Sequence, residues 1–272
     1  MPVIVVGSAK GSPGASTTAL ALAAAWPGQA RLLVVEADAS GGDALLRFGM
    51  RETPGLVSLA AASRRSGVTA ALVREHAQRL PGGVEVVVAP AEAGQCTAAL
   101  DALGEAWADA DLGGALVVAD CGRLGLDTGT ATELLRIADA VVLVSGGAVE
   151  ALGHTAEAAA RLRPHAGYLV VAVIGRCAWP APEVEAALGA DTCVMLPHDE
   201  ASAALLRGAP VPRRRWPARP RHPLMDVARR LAVVLERQLL GRPEREDDQR
   251  TEGDPVAAAQ VSLASVLGGE RA

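Results

Sequence analysis

Residues Val3-Ile4-Val5-Val6-Gly7-Ser8-Ala9-Lys10-Gly11-Ser12-Pro13-Gly14-Ala15-Ser16-Thr17-Thr18 open the chain, and the helical run 19–26 follows them. The order is a buried strand, a loop of small residues, and the start of a helix. A loop of this kind turns backbone N–H groups inward, and the helix N-terminus adds partial positive charge, so an anion is favoured there. Gly11 and Gly14 allow the backbone to approach a phosphate closely. Ser16 supplies a hydroxyl just inside the helix, where it can ligate Mg²⁺.

Against the phosphate-loop pattern G-x-x-x-x-G-K-[ST], the frame here is Ala9-Lys10-Gly11-Ser12-Pro13-Gly14-Ala15-Ser16. Ala9 stands at the first glycine, Ala15 at the usual lysine, and a lysine sits early, at Lys10. Lys10 is the only lysine in the chain. In a sequence that otherwise uses arginine, this marks a position where a compact ammonium is wanted rather than a guanidinium fork. The early lysine resembles the deviant loop K-G-G-x-G-K-[ST] of the ParA/MinD superfamily of P-loop ATPases.

That resemblance implies an ATP and Mg²⁺ site in which Lys10, Gly11, Ser12, Gly14, Ala15, Ser16 and Thr17 line the phosphates. It also implies a homodimer in which Lys10 reaches the partner subunit's nucleotide. Ala15 departs from the pattern and removes a charge from the β- and γ-phosphates. Pro13 removes one N–H from the cradle.

Two acids extend the pattern. The second strand, 31–36, ends in Glu36-Ala37-Asp38-Ala39-Ser40-Gly41-Gly42-Asp43, which resembles the family's D-x-D-P-x-G-N. By that likeness Asp38 is the acid that orients the attacking water beside Mg²⁺, with Lys10 as the second catalytic group. The alternative is that Asp38 and Ser40 cap the helix 43–48. Further on, Ala115-Leu116-Val117-Val118-Ala119-Asp120-Cys121-Gly122 puts an acid at the end of an apolar strand, a Walker B pattern. Asp120 would then hold Mg²⁺ through water, alongside Ser16 and Asp38.

The remaining chain alternates short helices and apolar strands: helices at 56–62, 68–80, 97–107, 132–137, 149–162 and 182–188, and strands at 84–88, 138–144, 168–174 and 192–196. This regular alternation to residue 206 predicts an α/β fold, a doubly wound and mostly parallel sheet in one domain, of the P-loop NTPase type. Pro197-His198-Asp199 follows the last strand and resembles the family's P-x-D, which implies that these three residues lie beside the adenine. Gly175-Arg176 occupies the place of the Asn that reads the base in relatives.

Half of the 272 residues are hydrophobic and 2% aromatic, so the core is Val, Leu and Ala packing. The net charge of −5 is not that of a general nucleic-acid binder. Cys96, Cys121, Cys177 and Cys193 form no C-x-x-C and read as buried, reduced thiols of a cytoplasmic protein. The apolar N-terminus reads as a strand rather than a signal peptide, and no run is long enough for an integral membrane span.

The connector 212–223 is rich in proline and arginine. Arg213, Arg214, Arg215, Arg219 and Arg221 form either a non-specific DNA-binding strip or a solvated linker to the helix 224–240. Residues 241–272 read as a charged, disordered linker and a short amphipathic segment without basic or aromatic residues. That segment suits docking to a protein partner better than a lipid surface, with a floppy tail of no role as the alternative.

The leading expectation is thus a ParA/MinD-like spatial organiser or assembly factor, active in chromosome or plasmid partitioning, or in pole, secretion or pilus localisation as in TadZ/CpaE-like proteins. Its dimer would be governed by ATP, with weak or absent hydrolysis and association with the nucleoid or pole. An active DNA-binding partition ATPase and a nucleotide-free scaffold are the alternatives. A third class is an iron–sulfur reductase subunit using Cys96 and Cys121.

Overall fold

The computed structural model describes residues 2–11, 13–28, 32–113, 115–124, 129–209 and 222–240. In chain order the elements are β1 (Val3–Ser8), α1 (Ala15–Ala24), β2 (Leu32–Glu36), α2 (Ala44–Phe48), α3 (Leu56–Ser66), α4 (Ala70–Glu75), β3 (Gln78–Arg79), β4 (Glu85–Val87) and α5 (Ala93–Ala108). They continue with β5 (Leu116–Arg123), α6 (Gly129–Ile137), β6 (Ala140–Gly146), α7 (Val149–Leu162), β7 (Leu169–Ile174), α8 (Ala181–Leu188), β8 (Thr192–Leu196), α9 (Glu200–Leu206) and α10 (Pro223–Leu240). The strands form one sheet in the order β3-β4-β2-β5-β1-β6-β7-β8. Every pairing is parallel except that of β3 with β4.

The apolar runs explain this arrangement. A parallel strand covered on both faces must be hydrophobic at every position, and β1 is buried throughout. Its residues divide by parity. Val3 and Val5 join a core with Leu56, Leu59, Leu100, Leu103 and Trp107 on the α3 and α5 side. Ile4 and Val6 join Ala19, Leu22, Leu231 and Leu235 on the α1 and α10 side. The alternation of strand side chains thus sorts one valine-rich run into two cores. No helix among the described residues is long and apolar enough to cross a membrane.

Two expectations need correction. The helix expected over 68–80 is the short α4, capped by the Thr69 hydroxyl, which accepts from Leu72 N–H at 3.2 Å. The chain then becomes the edge strand β3, with Arg79 opposite Glu85. Non-local pairing to β4 outweighs the helical preference of Gln78 and Arg79. The helix placed at 19–26 begins four residues earlier, at Ala15, directly after Gly14 in the left-handed region (φ 97°). Ser16 and Thr17 lie in the first helical turn, where the loop pattern had already set the Ser16 hydroxyl. The basic connector from 210 to 221 and the tail from 241 lie outside the described residues.

Glu36 holds the carboxyl-terminal edge of the sheet together. Its Oε1 accepts from Asp43 N–H (2.9 Å) and Ala44 N–H (2.8 Å), and its Oε2 accepts from Ala89 N–H (2.9 Å). One carboxyl therefore caps α2 and ties the β2 loop to the loop after β4. Burial pushes the carboxyl above its usual pKa range, while these N–H donors pull it down. An unsatisfied buried donor costs roughly 1–3 kcal/mol. Glu36→Ala leaves three N–H groups without their acceptor and should lower the unfolding free energy by roughly 3 kcal/mol or more. Urea denaturation measures this, and unchanged stability would show that the two loops fold without the staple.

Candidate functional site

The loop after β1, the end of β2 and the end of β5 meet at the carboxyl-terminal edge of the sheet, where ligands of open α/β sheets bind. β5 lies between β1 and β2, with Val6 opposite Asp120 on one side and Glu36 opposite Asp120 on the other. The phosphate-type loop and both acidic motifs are thereby brought to one place. Gly11 (φ 75°) and Gly14 (φ 97°) take the left-handed conformations that favour glycine. Gly14 O accepts Thr18 N–H at 2.9 Å and the Thr18 hydroxyl at 2.9 Å, which opens α1. The first turn of α1 contains no acidic residue, and no side chain caps it. Ser12 lies outside the described residues.

Asp120 is buried, 6% exposed, beneath this turn. Burial pushes its carboxyl up to about 7, and the nearby Glu36 and Asp38 add to the rise. Hydrogen bonds from the Ser16 hydroxyl and Gly122 N–H oppose it. Ser16 and Asp120, expected to share one metal, are thus neighbours.

Asp38 stands beside them. Its Oδ1 accepts Ser40 N–H at 2.8 Å, and its Oδ2 packs against Gly122, where a Cβ would sit only 1.7 Å from it. Gly122 has φ 55°, so both its conformation and its missing side chain admit the Asp38 carboxylate. Asp38 does not cap α2, because Glu36 does. Gly122, the glycine that follows the acid of the Walker B pattern, thus shapes the site from near the end of β5.

These groups fit Mg²⁺. Among the described residues no group of three His, Cys, Asp or Glu side chains is placed to hold a metal alone. Mg²⁺ binds through one or two protein ligands, phosphate oxygens and several waters, which is what a hydroxyl and a nearby buried carboxylate offer. The raised pKa of Asp120 comes first from burial, with Glu36 and Asp38 adding to it, and a divalent cation beside it would favour the ionised carboxylate.

A cavity of about 250 Å³ opens beside the loop, lined in part by Gly14, Thr17, Ile174, His198, Glu200 and Arg207. Pro197 and Asp199 line it too, so the three residues expected near a base are together. Asp199 is largely occupied: Oδ1 accepts Ser202 N–H (3.0 Å) and Oδ2 accepts Leu224 N–H (3.3 Å). Burial raises its pKa, but bonds from Ser202 and Leu224 and the nearby His222 outweigh this, and the net shift is downward. Asp199 therefore caps α9 and anchors α10 at the cavity wall.

Ala15 is buried and brings no charge to the loop. Lys10 is exposed, and its Nζ lies 3.1 Å from Nε2 of His154 on α7. An ammonium has donors only, so Nε2 accepts and the imidazole proton is on Nδ1. The two cysteines considered for a cluster are buried in the core, and the Cys96 thiol donates to Asp38 O at 3.1 Å. Neither thiol reaches the surface.

No family model and no curated relative matches the sequence. Solved structures do. A ParA family ATPase from Chlorobium tepidum aligns with a TM-score of 0.65 at 17% identity, over 86% of this chain and 98% of that one. The septum site-determining protein MinD from Pyrococcus horikoshii, solved with Mg-ADP, aligns at 0.63 and 16% identity, over 88% and 97%. An ATP complex of McdA from Cyanothece aligns at 0.57 and 13% identity, over 91% and 99%. The eight-stranded sheet, its order and the place of its loops give this chain the fold of the ParA and MinD ATPases.

Proposed function

We propose that this chain is a divergent ParA/MinD-like protein that binds ATP with Mg²⁺ and uses it to govern a dimer that organises or assembles a cellular partner. The observation that carries the reading is the junction of Ser16 with buried Asp120 at the open N-terminus of α1, next to a base-sized cavity. The loop N–H groups and helix N-terminus would hold the phosphates. Ser16 would ligate Mg²⁺ directly and Asp120 through water, and the ion would neutralise charge on the β- and γ-phosphates. Asp38, exposed enough to meet solvent and fixed by Ser40 N–H, offers a carboxylate that can hold a water. Pro197 and His198 form one wall of the base cavity.

Ala15 and Pro13 weaken the phosphate grip, which favours a nucleotide that supports assembly over one that is turned over quickly. This is the ground for placing the protein near TadZ/CpaE-like localisation factors. The same two residues also support a second reading, a scaffold whose loop holds no nucleotide. DNA binding through the 213–221 arginines, partner docking through the 241–272 segment and residence at the nucleoid or pole are further parts of the proposal. They rest on the sequence alone.

Equilibrium binding of ATP with Mg²⁺, monitored together with oligomeric state, decides between the two readings. The wild-type protein should bind ATP and dimerise, and Lys10→Ala should bind but fail to dimerise. Absence of binding by either protein at millimolar ATP would establish the scaffold.

A second test uses pH. The folded Asp120 titrates near 7 and the unfolded one near 3.8. Between these values the folded state keeps a proton that the unfolded chain has released. Without Mg²⁺ and nucleotide, stability should therefore fall as pH rises from about 4 to 7, each unit being worth about 1.4 kcal/mol. Asp120→Asn should flatten that decline in urea titrations and stabilise the protein at pH 8, while removing the Mg²⁺ dependence of ATP affinity. A decline of equal slope in Asp120→Asn would assign it to other groups.

A further inference from the structure

The nucleotide reading leaves a charge unaccounted for, because Ala15 stands where a phosphate-binding lysine would. Among the described residues, several cations lie along the same edge of the sheet. Lys10 is turned to His154 on α7. Arg207 borders the base cavity, where its Nε donates to Ala203 O at 3.2 Å. Arg176 follows β7, two strands away from β1. Arg123 is different, since it ends β5, the strand that carries Asp120 and lies against β1.

The register shows where Arg123 points. Val6 is opposite Asp120, but Ser8 is opposite Arg123, so β5 holds one extra residue between these pairs. The extra residue is accommodated at Gly122, with φ 55°. A bulge of this kind shifts the alternation of side chains and re-aims the next one. Without it Arg123 would share a face with Cys121, in the core on the α5 side. With it, Leu124 takes that side, buried and packed over Gly7, while its N–H donates to Ser8 O at 2.9 Å. Arg123 is left on the face of Asp120 and the loop, and it is exposed. Among the described residues it has no ion pair and no side-chain hydrogen bond.

We infer that Arg123 supplies, within the same subunit, the phosphate-binding charge that Ala15 lacks, by presenting its guanidinium to the terminal phosphate of a bound nucleoside triphosphate. The inference rests on the nucleotide reading above. A guanidinium fork suits phosphate oxygens, binds them bidentately and stays charged at any working pH. Its position three residues beyond Asp120 places it at the Mg²⁺ end of the site rather than the base end, so it distinguishes a triphosphate from a diphosphate.

The test is equilibrium binding of ATP and of ADP, each with Mg²⁺, to the full chain and to Arg123→Met and Arg123→Lys, with thermal unfolding as the folding control. A charge-assisted contact of this type corresponds to about tenfold or more in affinity. Arg123→Met should weaken ATP by about that factor and ADP by much less. Arg123→Lys should keep most of the ATP affinity, and both variants should melt like the wild type. Equal ATP affinity in all three proteins overturns the inference. Loss of ATP and ADP alike in both variants also overturns it, since that is the signature of altered packing. If the wild type binds neither nucleotide, the nucleotide reading itself fails and this one goes with it, an outcome distinct from the other two.

Discussion

Asp120 sits on β5, near the middle of a largely apolar sheet, beside the Ser16 hydroxyl at the first turn of α1. Burying an ionisable acid in such a place is costly unless something compensates. The compensation comes from the surrounding architecture: a hydroxyl, an N–H from Gly122, and the positive end of a helix whose first turn carries no acid of its own. The loop, the bulge in β5 and the approach of Asp38 all converge on this carboxylate. With Glu36 and Asp38 close by, the compensation stays partial, and the pKa near 7 expresses the remainder. A site left short of positive charge is suited to taking a divalent cation and its anionic ligand together.

The acids divide the work by reach and by partner. Glu36 is longer than the aspartate of the motif it resembles, and the extra methylene lets it span from β2 to the N-terminus of α2 and to Ala89. It has become a structural clasp. Asp38, two residues on, is left beside Gly122 with one oxygen satisfied by the backbone. Asp199 follows the same logic at the other end of the site, where its oxygens set the start of α9 and hold α10. Rigid loops around a cavity are the result, as preorganised binding requires.

Positive charge is distributed differently from the standard loop. The helix N-terminus is bare, Ala15 is silent, and the single lysine is exposed at the surface beside His154. Arg123 is turned toward the loop by one extra residue in its strand. The arrangement moves cationic groups from the floor of the loop to its rim, where their reach depends on what else is bound.

Much of this was legible in the residues. A strand buried on both faces must be apolar at every position, so the valine-rich runs at 3–6, 116–119 and 169–173 announced a parallel sheet. Gly11, Gly14, Ser16 and the apolar run ending in Asp120 announced an anion and metal site, because those residue types meet needs local to a few positions. What only the tertiary structure decided depends on distant partners. Gln78 and Arg79 became strand because β4 offered unpaired backbone groups. Glu36 became a clasp because α2 and Ala89 came within its reach. The direction of Arg123 followed from its register against Ser8, since one inserted residue moves a strand side chain to the opposite face. Periodicity within a segment can be read along the chain, whereas the register between segments is set only when they pack.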